Sequence, residues 1–134
     1  MSRALLQTVN PAVQAVAENG IISPGTVVRR YGCNIQLSGN GQEISGEGYY
    51  RLDGTVTVEP TAIGNVSVSL LENGVQIPGG IASGYASAAD VPVTLPLVCT
   101  VRKQCGCAGA SSITCVLTEG AGNVTNYSLR IAKD

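Results

Sequence analysis

The sequence of 134 residues contains no histidine, no tryptophan and no phenylalanine, and charged residues make up only 13% of it. Without an imidazole base the chain cannot build a Ser-His-Asp or Cys-His nucleophile pair, nor most catalytic zinc sites. Its core must be made from aliphatic side chains and tyrosines. We therefore predict a protein that is not an enzyme, with no catalytic residue, no cofactor and no metal.

The charges are few and balanced, with eight Lys and Arg against nine Asp and Glu. No basic run is longer than Arg29-Arg30 or Arg102-Lys103, whereas neutralising phosphates requires several clustered cations. We therefore expect no nucleic-acid partner. So neutral a surface is tolerated when part of it is buried against other subunits, which favours an assembly.

Long apolar runs are also missing. None approaches the roughly 20 residues of a membrane span, and the N-terminus lacks the apolar core of a signal peptide. We expect no membrane partner and synthesis in a bacterial cytoplasm without a signal peptide.

The residues that are present favour β-strands. Val, Ile and Thr alternate with polar residues in short segments separated by glycine, which predicts an all-β sandwich, jelly roll or barrel of about eight to ten antiparallel strands. In GYYRLDGTVTVEP one parity is apolar and should face the core; it holds Tyr50, Leu52, Val56 and Val58.

Three further patterns refine this prediction. NVSVSLLENG repeats the alternation with Ser67 and Ser69 outward, and its Asn-Gly turn indicates antiparallel neighbours. Pro92 and Pro96 would remove ladder donors, so their strand should be an edge or start late. Residues 1–23 show no sustained period and are interrupted by proline, which predicts an N-terminal arm before a jelly-roll domain over residues 24–134.

Four of the five cysteines lie in CTVRKQCGCAGASSITC. One Cys-x-Cys pair matches a structural zinc site poorly, and no helix follows it to lower a thiol pKa. A hairpin over this segment would make Cys99 and Cys115 a cross-strand thiol pair. Buried free thiols are favoured over a disulfide, and a disulfide over a metal site.

The order of these strand signals resembles the compact jelly roll of the tumour necrosis factor and complement globular-head superfamily, in particular its phage and spore-surface collagen-like versions. Three segments carry the resemblance: GYYRLDGTVTV, VSVSLLENGVQIPG and NYSLRIAKD. In addition, MSRALLQTVNPAVQ and VVRRYGCNIQLSGNGQEISGEGYY resemble small proteins encoded by phages and prophages of gut bacteria.

The resemblance implies a homotrimer in which the outer face of one sheet packs around a threefold axis. That face should carry few charges. The interface residues expected there are Tyr49, Arg51, Thr55, Thr57 and Ser128.

For function, the resemblance implies a virion structural protein, such as a trimeric capsid decoration or head-fibre module. Its N-terminal arm is expected to dock to other virion proteins such as capsid or tail. One alternative is a tail, baseplate or spore-surface adhesin that binds a host surface or glycan. Another is a small metal-binding domain that uses the loop between Cys99 and Cys115.

Overall fold

The structure is a computed structural model that describes residues 4–32, 34–103 and 111–133. Its regular elements in those ranges are twelve β-strands. The strands are β1 (Leu5–Asn10), β2 (Gln14–Val16), β3 (Gly20–Ile22), β4 (Thr26–Tyr31), β5 (Ile35–Ser38), β6 (Gly41–Ile44), β7 (Gly48–Pro60), β8 (Gly64–Glu72), β9 (Val75–Ala86), β10 (Val93–Lys103), β11 (Ser111–Glu119) and β12 (Gly122–Lys133).

The strands form two antiparallel sheets of six strands each. Sheet A has the order β10-β7-β12-β1-β4 with β2 beside β12, and sheet B has the order β5-β6-β11-β8-β9 with β3 beside β11. The chain crosses repeatedly from one sheet to the other, and the inward side chains of both sheets meet in one hydrophobic core. The predicted all-β jelly-roll sandwich is confirmed. Within the described residues there is no helix long and apolar enough to span a membrane.

Strand β7 confirms the alternation read from its sequence. Tyr50 and Leu52 are buried, whereas Tyr49 and Arg51 between and beside them are exposed. The same holds further along the strand, where Val56 and Val58 are buried. Because successive residues of a strand point to opposite sides, β7 supplies the core with one face and the outer surface of sheet A with the other.

The hairpin of β8 and β9 confirms the Asn-Gly turn. Asn73 and Gly74 both adopt positive φ, 52° and 86°, as a tight two-residue hairpin turn requires. The outward exposure predicted for Ser67 and Ser69 is wrong, because both are buried. Strand β8 lies between β11 and β9, and Ser67 contacts both neighbours: its hydroxyl is 2.8 Å from that of Ser83 and donates to Oε1 of Glu119 at 3.3 Å.

Strand β10 confirms the reading of its prolines. It begins at Val93, directly after Pro92, and it is the edge strand of sheet A. Pro96 lies within β10 opposite Thr55 of β7. A strand with one unpaired edge tolerates a residue that has no N–H to donate.

The N-terminal arm predicted over residues 1–23 is wrong for the described residues 4–23. Strand β1 lies inside sheet A between β12 and β4, and Leu6 is only 1% exposed. The ends of β1 and β12 are joined by the Lys133 N–H, which donates to the Ala4 carbonyl at 2.9 Å. Sequence periodicity missed β1 because its inward positions include a polar residue, Thr8, while Leu5 faces outward. The structure has more strands than the predicted eight to ten because that prediction did not include β1–β3.

A polar contact crosses the core between the two sheets. The side-chain amide of Gln42 on β6 donates from Nε2 to Oγ1 of Thr8 on β1 at 2.8 Å, and both residues are buried. Tyr127 of β12 and Cys115 of β11 are also buried in this part of the core, and burial raises the pKa of Tyr127, with a smaller rise from Cys115 and an opposing contribution from Gln42. The contact between Gln42 and Thr8 therefore ties sheet A to sheet B within an otherwise apolar interior.

Candidate interaction surface

The residues predicted as a subunit interface lie together on the outer face of sheet A. Tyr49, Arg51, Thr55 and Thr57 project from the same side of β7, because their neighbours along the strand face the core. Ser128 of β12 stands directly opposite Thr55 in the strand register. The structure thus brings all five predicted positions to one surface.

The stretch of this surface between Asp53 and Glu59 of β7 has no charged side chain. Thr55 of β7 lies in one cross-strand row with Pro96 of β10 and Ser128 of β12. In the next row the hydroxyls of Thr57 and Thr94 are 3.2 Å apart. We call Thr55, Thr57, Thr94, Pro96 and Ser128 the uncharged half.

The other half is charged. Asp53 of β7 lies opposite Arg130 of β12, and the Arg102 guanidinium carbon lies 5.7 Å from the centre of the Tyr49 ring. We call Tyr49, Arg51, Asp53, Arg102 and Arg130 the charged half. The expectation of a face with few charges is therefore correct for the uncharged half and wrong for this one, because the sequence reading considered β7 and β12 apart and left out the arginine of β10.

Strand β10 adds exposed residues that the sequence reading did not assign to the surface. Val98 is 64% exposed and stands opposite Asp53, at the boundary between the two halves. The sequence held a signal, since Thr94, Thr100 and Arg102 share the parity of Val98, whereas the other parity of VTLPLVCTVRK holds Leu95, Leu97 and Val101. The two prolines near its start predicted its edge position but not its outward face.

A groove of about 420 Å³ opens on the same outer face, on strands β4, β1 and β12. Leu5 forms part of its floor, between Ala132 of β12 and Tyr31 of β4 in the strand register. Tyr31 is 62% exposed. The lining residues are Ala4, Leu5, Tyr31, Arg130, Ala132 and Lys133.

The groove combines an aromatic side chain with two cations and has no acidic lining residue among residues 4–32, 34–103 and 111–133. Lys133 extends its ammonium to 6.0 Å from the centre of the Tyr50 ring. Arg130 makes neither an ion pair nor a hydrogen bond to any residue that the structure describes. Its guanidinium is therefore available to an incoming anion.

The predicted cross-strand thiol pair of Cys99 and Cys115 is wrong. Cys99 lies on β10 of sheet A and Cys115 on β11 of sheet B, because the chain crosses between the sheets here instead of turning back as a hairpin. Both are free and buried. Burial raises the pKa of the Cys99 thiol to about 11, with a smaller contribution from Asp53, and that of Cys115 to about 12. Such thiols remain protonated and unreactive near neutral pH.

The remaining cysteines, Cys33, Cys105 and Cys107, lie outside the described residues, and so do residues 104–110 of the segment that the metal-binding alternative used. In residues 4–32, 34–103 and 111–133 no group of three or more Cys, Asp or Glu side chains is arranged to hold a metal ion.

Comparison with known proteins identifies the fold. A scan against protein-family models finds no match, and a search of curated proteins finds no significant match. Among solved structures, murine APRIL at pH 5.0 is 13% identical with a TM-score of 0.75, covering 99% of this chain and 100% of that one. The globular domain of zebrafish complement 1qA is 7% identical with a TM-score of 0.69, over 96% and 94% of the two chains.

A phage protein is also among these neighbours. The PRD1 vertex protein P5 is 13% identical with a TM-score of 0.63, and the match covers 97% of this chain and 96% of that one. At this identity the likeness establishes the fold alone. The chain therefore has the jelly-roll fold of tumour necrosis factor ligands and complement globular heads, a fold that the vertex protein of a phage shares.

Proposed function

We propose that this protein is a non-enzymatic structural protein of a phage virion, and that it acts as a homotrimer that decorates the capsid or forms the head of a fibre. The likeness to a phage vertex protein supports the virion setting. The observation that carries the proposal is the uncharged half on the outer face of sheet A, together with the exposed Val98 beside it.

The uncharged half is the centre of the proposed subunit interface. Thr55, Thr57 and Ser128 are short and neutral, so their removal from water costs little, and burying Val98 is favourable. Arg51 and Tyr49 belong to the charged half of the same face. Removing charged groups from water costs several kcal/mol per ion, which favours keeping the charged half hydrated at one end of the threefold axis.

Attachment to capsid or tail proteins is not assigned to an arm, because residues 4–23 include strands β1–β3 of the two sheets. We propose instead that the trimer attaches to capsid or tail proteins through a surface of its folded domains.

A lysine placed at the interface tests the trimer. In light scattering at micromolar concentration the parent should have three times the chain mass of 13.7 kDa. Thr57→Lys should dissociate it, because three buried ammonium groups would be desolvated and would repel one another. Gln76→Lys, at an exposed position of β9 in sheet B, adds the same charge and should leave the trimer intact.

Two results would reject the proposed interface. A parent that runs as a monomer rules out the trimer, and a trimeric Thr57→Lys variant shows that the face is wrong. Tyr49→Asp places a charge at the margin of the same surface. It should weaken the trimer less than Thr57→Lys, because the Arg102 guanidinium beside Tyr49 can pair with the new carboxylate.

The virion setting is tested on native particles. Labelled antibodies against the protein should mark capsid heads or their fibres in electron micrographs. Particles that carry no label would reject a virion location.

The second candidate function is a tail, baseplate or spore-surface adhesin. It is favoured by one observation, the open groove on β4, β1 and β12, whose Arg130 pairs with no residue that the structure describes. Labelling confined to tails or to spore surfaces would favour this candidate over capsid decoration.

A further inference from the structure

The groove beside Tyr31 has the size and lining of a small-ligand site. Its volume of about 420 Å³ falls within the range of roughly 300–1,000 Å³ that is typical of such sites. Three of its lining side chains are small or aliphatic, which leaves room for a ligand to lie flat on the strands. The polar groups that could fix its orientation are concentrated on one side, at β12.

The charge of the groove selects an anion. Arg130 and Lys133 line it, and no carboxylate of the described part of the chain does. A guanidinium binds a planar carboxylate through two parallel hydrogen bonds, whereas a lysine offers only a point charge. Arg130 has no partner in the part of the chain that is described, so it is the anchor for the ligand.

The aromatic ring favours a ligand that has an apolar face. Tyr31 comes from β4, two strands away from Arg130 on β12, with β1 between them. Adjacent strands are about 4.8 Å apart, so a ligand that reaches both must span roughly 10 Å of surface or less after the side chains extend. A single sugar ring with a carboxylate substituent has this reach, and its C–H face can pack on the exposed ring.

We propose that this groove binds a sugar residue that carries a carboxylate, with the carboxylate on the Arg130 guanidinium and the apolar face of the ring against Tyr31. The inference rests on the second candidate function, to which it gives a ligand class. A nucleic acid is disfavoured because the groove offers two cations, whereas neutralising successive phosphates requires several clustered ones.

The test is an NMR titration of the full ¹⁵N-labelled chain with glucuronate, glucose and glutarate as probes. Glucuronate should shift the amide signals of Tyr31 and Ala132 and should saturate at millimolar concentration. Glucose lacks the carboxylate and glutarate lacks the ring, so each should bind about tenfold more weakly or not at all.

Variants identify the two contacts. Arg130→Gln should weaken glucuronate binding about tenfold, since a charge-assisted pair is lost. Tyr31→Ala should weaken it as well. Arg30→Gln is the matched control, because it removes the same charge from β4 at a position opposite the inward residue Leu6, and it should bind like the parent.

Several results would overturn the inference. Equal binding of glutarate and glucuronate would show a general anion site, tighter binding of a short oligoglutamate peptide would show an acidic-peptide site, and unchanged binding by Arg130→Gln would place the ligand elsewhere. Absence of any shift would reject the groove as a site. The amide spectrum of each variant reports whether it is folded, and light scattering of the parent reports the trimer independently, so failure of the groove leaves the virion proposal standing.

Discussion

The two sheets have similar inner faces but very different charge. Both contribute aliphatic side chains to one core, yet the strands of sheet B carry three acidic residues and, within the described residues, no lysine or arginine. Sheet A carries only two acids, Asp53 and Glu59. All seven described lysines and arginines lie on sheet A: Arg29, Arg30, Arg51, Arg102, Lys103, Arg130 and Lys133.

A formal net charge of −1 therefore conceals a chain with one basic and one acidic side. The core needs the inner faces to be alike, because each must exclude water, while the outer faces are free to differ. Both the proposed interface and the proposed ligand groove lie on sheet A, the basic side.

The largest expected effect tests whether the inner faces are equivalent. Leu129 of sheet A and Leu117 of sheet B are both fully buried. Leu129→Ala and Leu117→Ala should each lower the free energy of unfolding by about 2–5 kcal/mol, because each leaves a cavity. Urea denaturation measures both.

The exposed Val75→Ala serves as the control and should change stability by less than about 0.5 kcal/mol. If one leucine variant lost no more stability than this control, the two sheets would not share the core equally.

The next effect concerns the polar contact between the sheets. Thr8 is 0% exposed and accepts a hydrogen bond from Gln42. Thr8→Val keeps the shape but leaves the Gln42 amide without this partner, so we expect a loss of about 1–3 kcal/mol in urea denaturation. Thr100→Val, at an exposed position of β10, should be nearly neutral. Equal stability of the two variants would show that this contact does not join the sheets energetically.

The smallest effect is a loss of stability at alkaline pH to which the buried thiol of Cys115 contributes. Burial raises the pKa of Cys115 from 9.0 to about 12, although a hydrogen bond with Tyr127 opposes the rise. The folded chain therefore keeps a proton that the unfolded chain loses, so stability is complete below about pH 9 and falls as the pH rises towards 12.

Each such group contributes a slope of about 1.4 kcal/mol per pH unit. Between pH 9 and 10.5, Cys115→Val should lower this slope in urea denaturation series. The exposed-site variant Thr100→Val should retain the full slope. A Cys115→Val slope identical to that of the parent would show that the thiol of sheet B does not hold its proton on folding.

Alternation along single strands predicted much of the fold correctly. The inward face of β7, the edge position of β10 and the β8–β9 turn each depend on local rules that a short segment contains. The jelly roll itself followed from the order of these segments and the family resemblance. Strand β1 was missed because Thr8 fills an inward position, and its hydrogen-bond partner Gln42 is 34 residues away.

The site was predictable only in part, because it depends on pairing between distant strands. Thr55 and Ser128 were chosen from separate segments, and the structure sets them side by side. The division into a charged and an uncharged half needs the register of β10 with β7, which no single segment specifies. The thiol pair failed for the same reason, since nearness along the chain did not reveal that β10 and β11 lie in different sheets.

The pairing of β1 with β12 also determines how this domain responds to a pulling force. These strands are antiparallel, and Leu5 lies opposite Ala132, so the first and last described residues leave sheet A at the same corner. Tension applied between the two ends would peel β1 from β12 one hydrogen bond at a time, starting with the Lys133–Ala4 bond, instead of shearing all of them together. If the domain is held by only one of its two ends, no tension acts between β1 and β12, and both strands stay in the interior of sheet A.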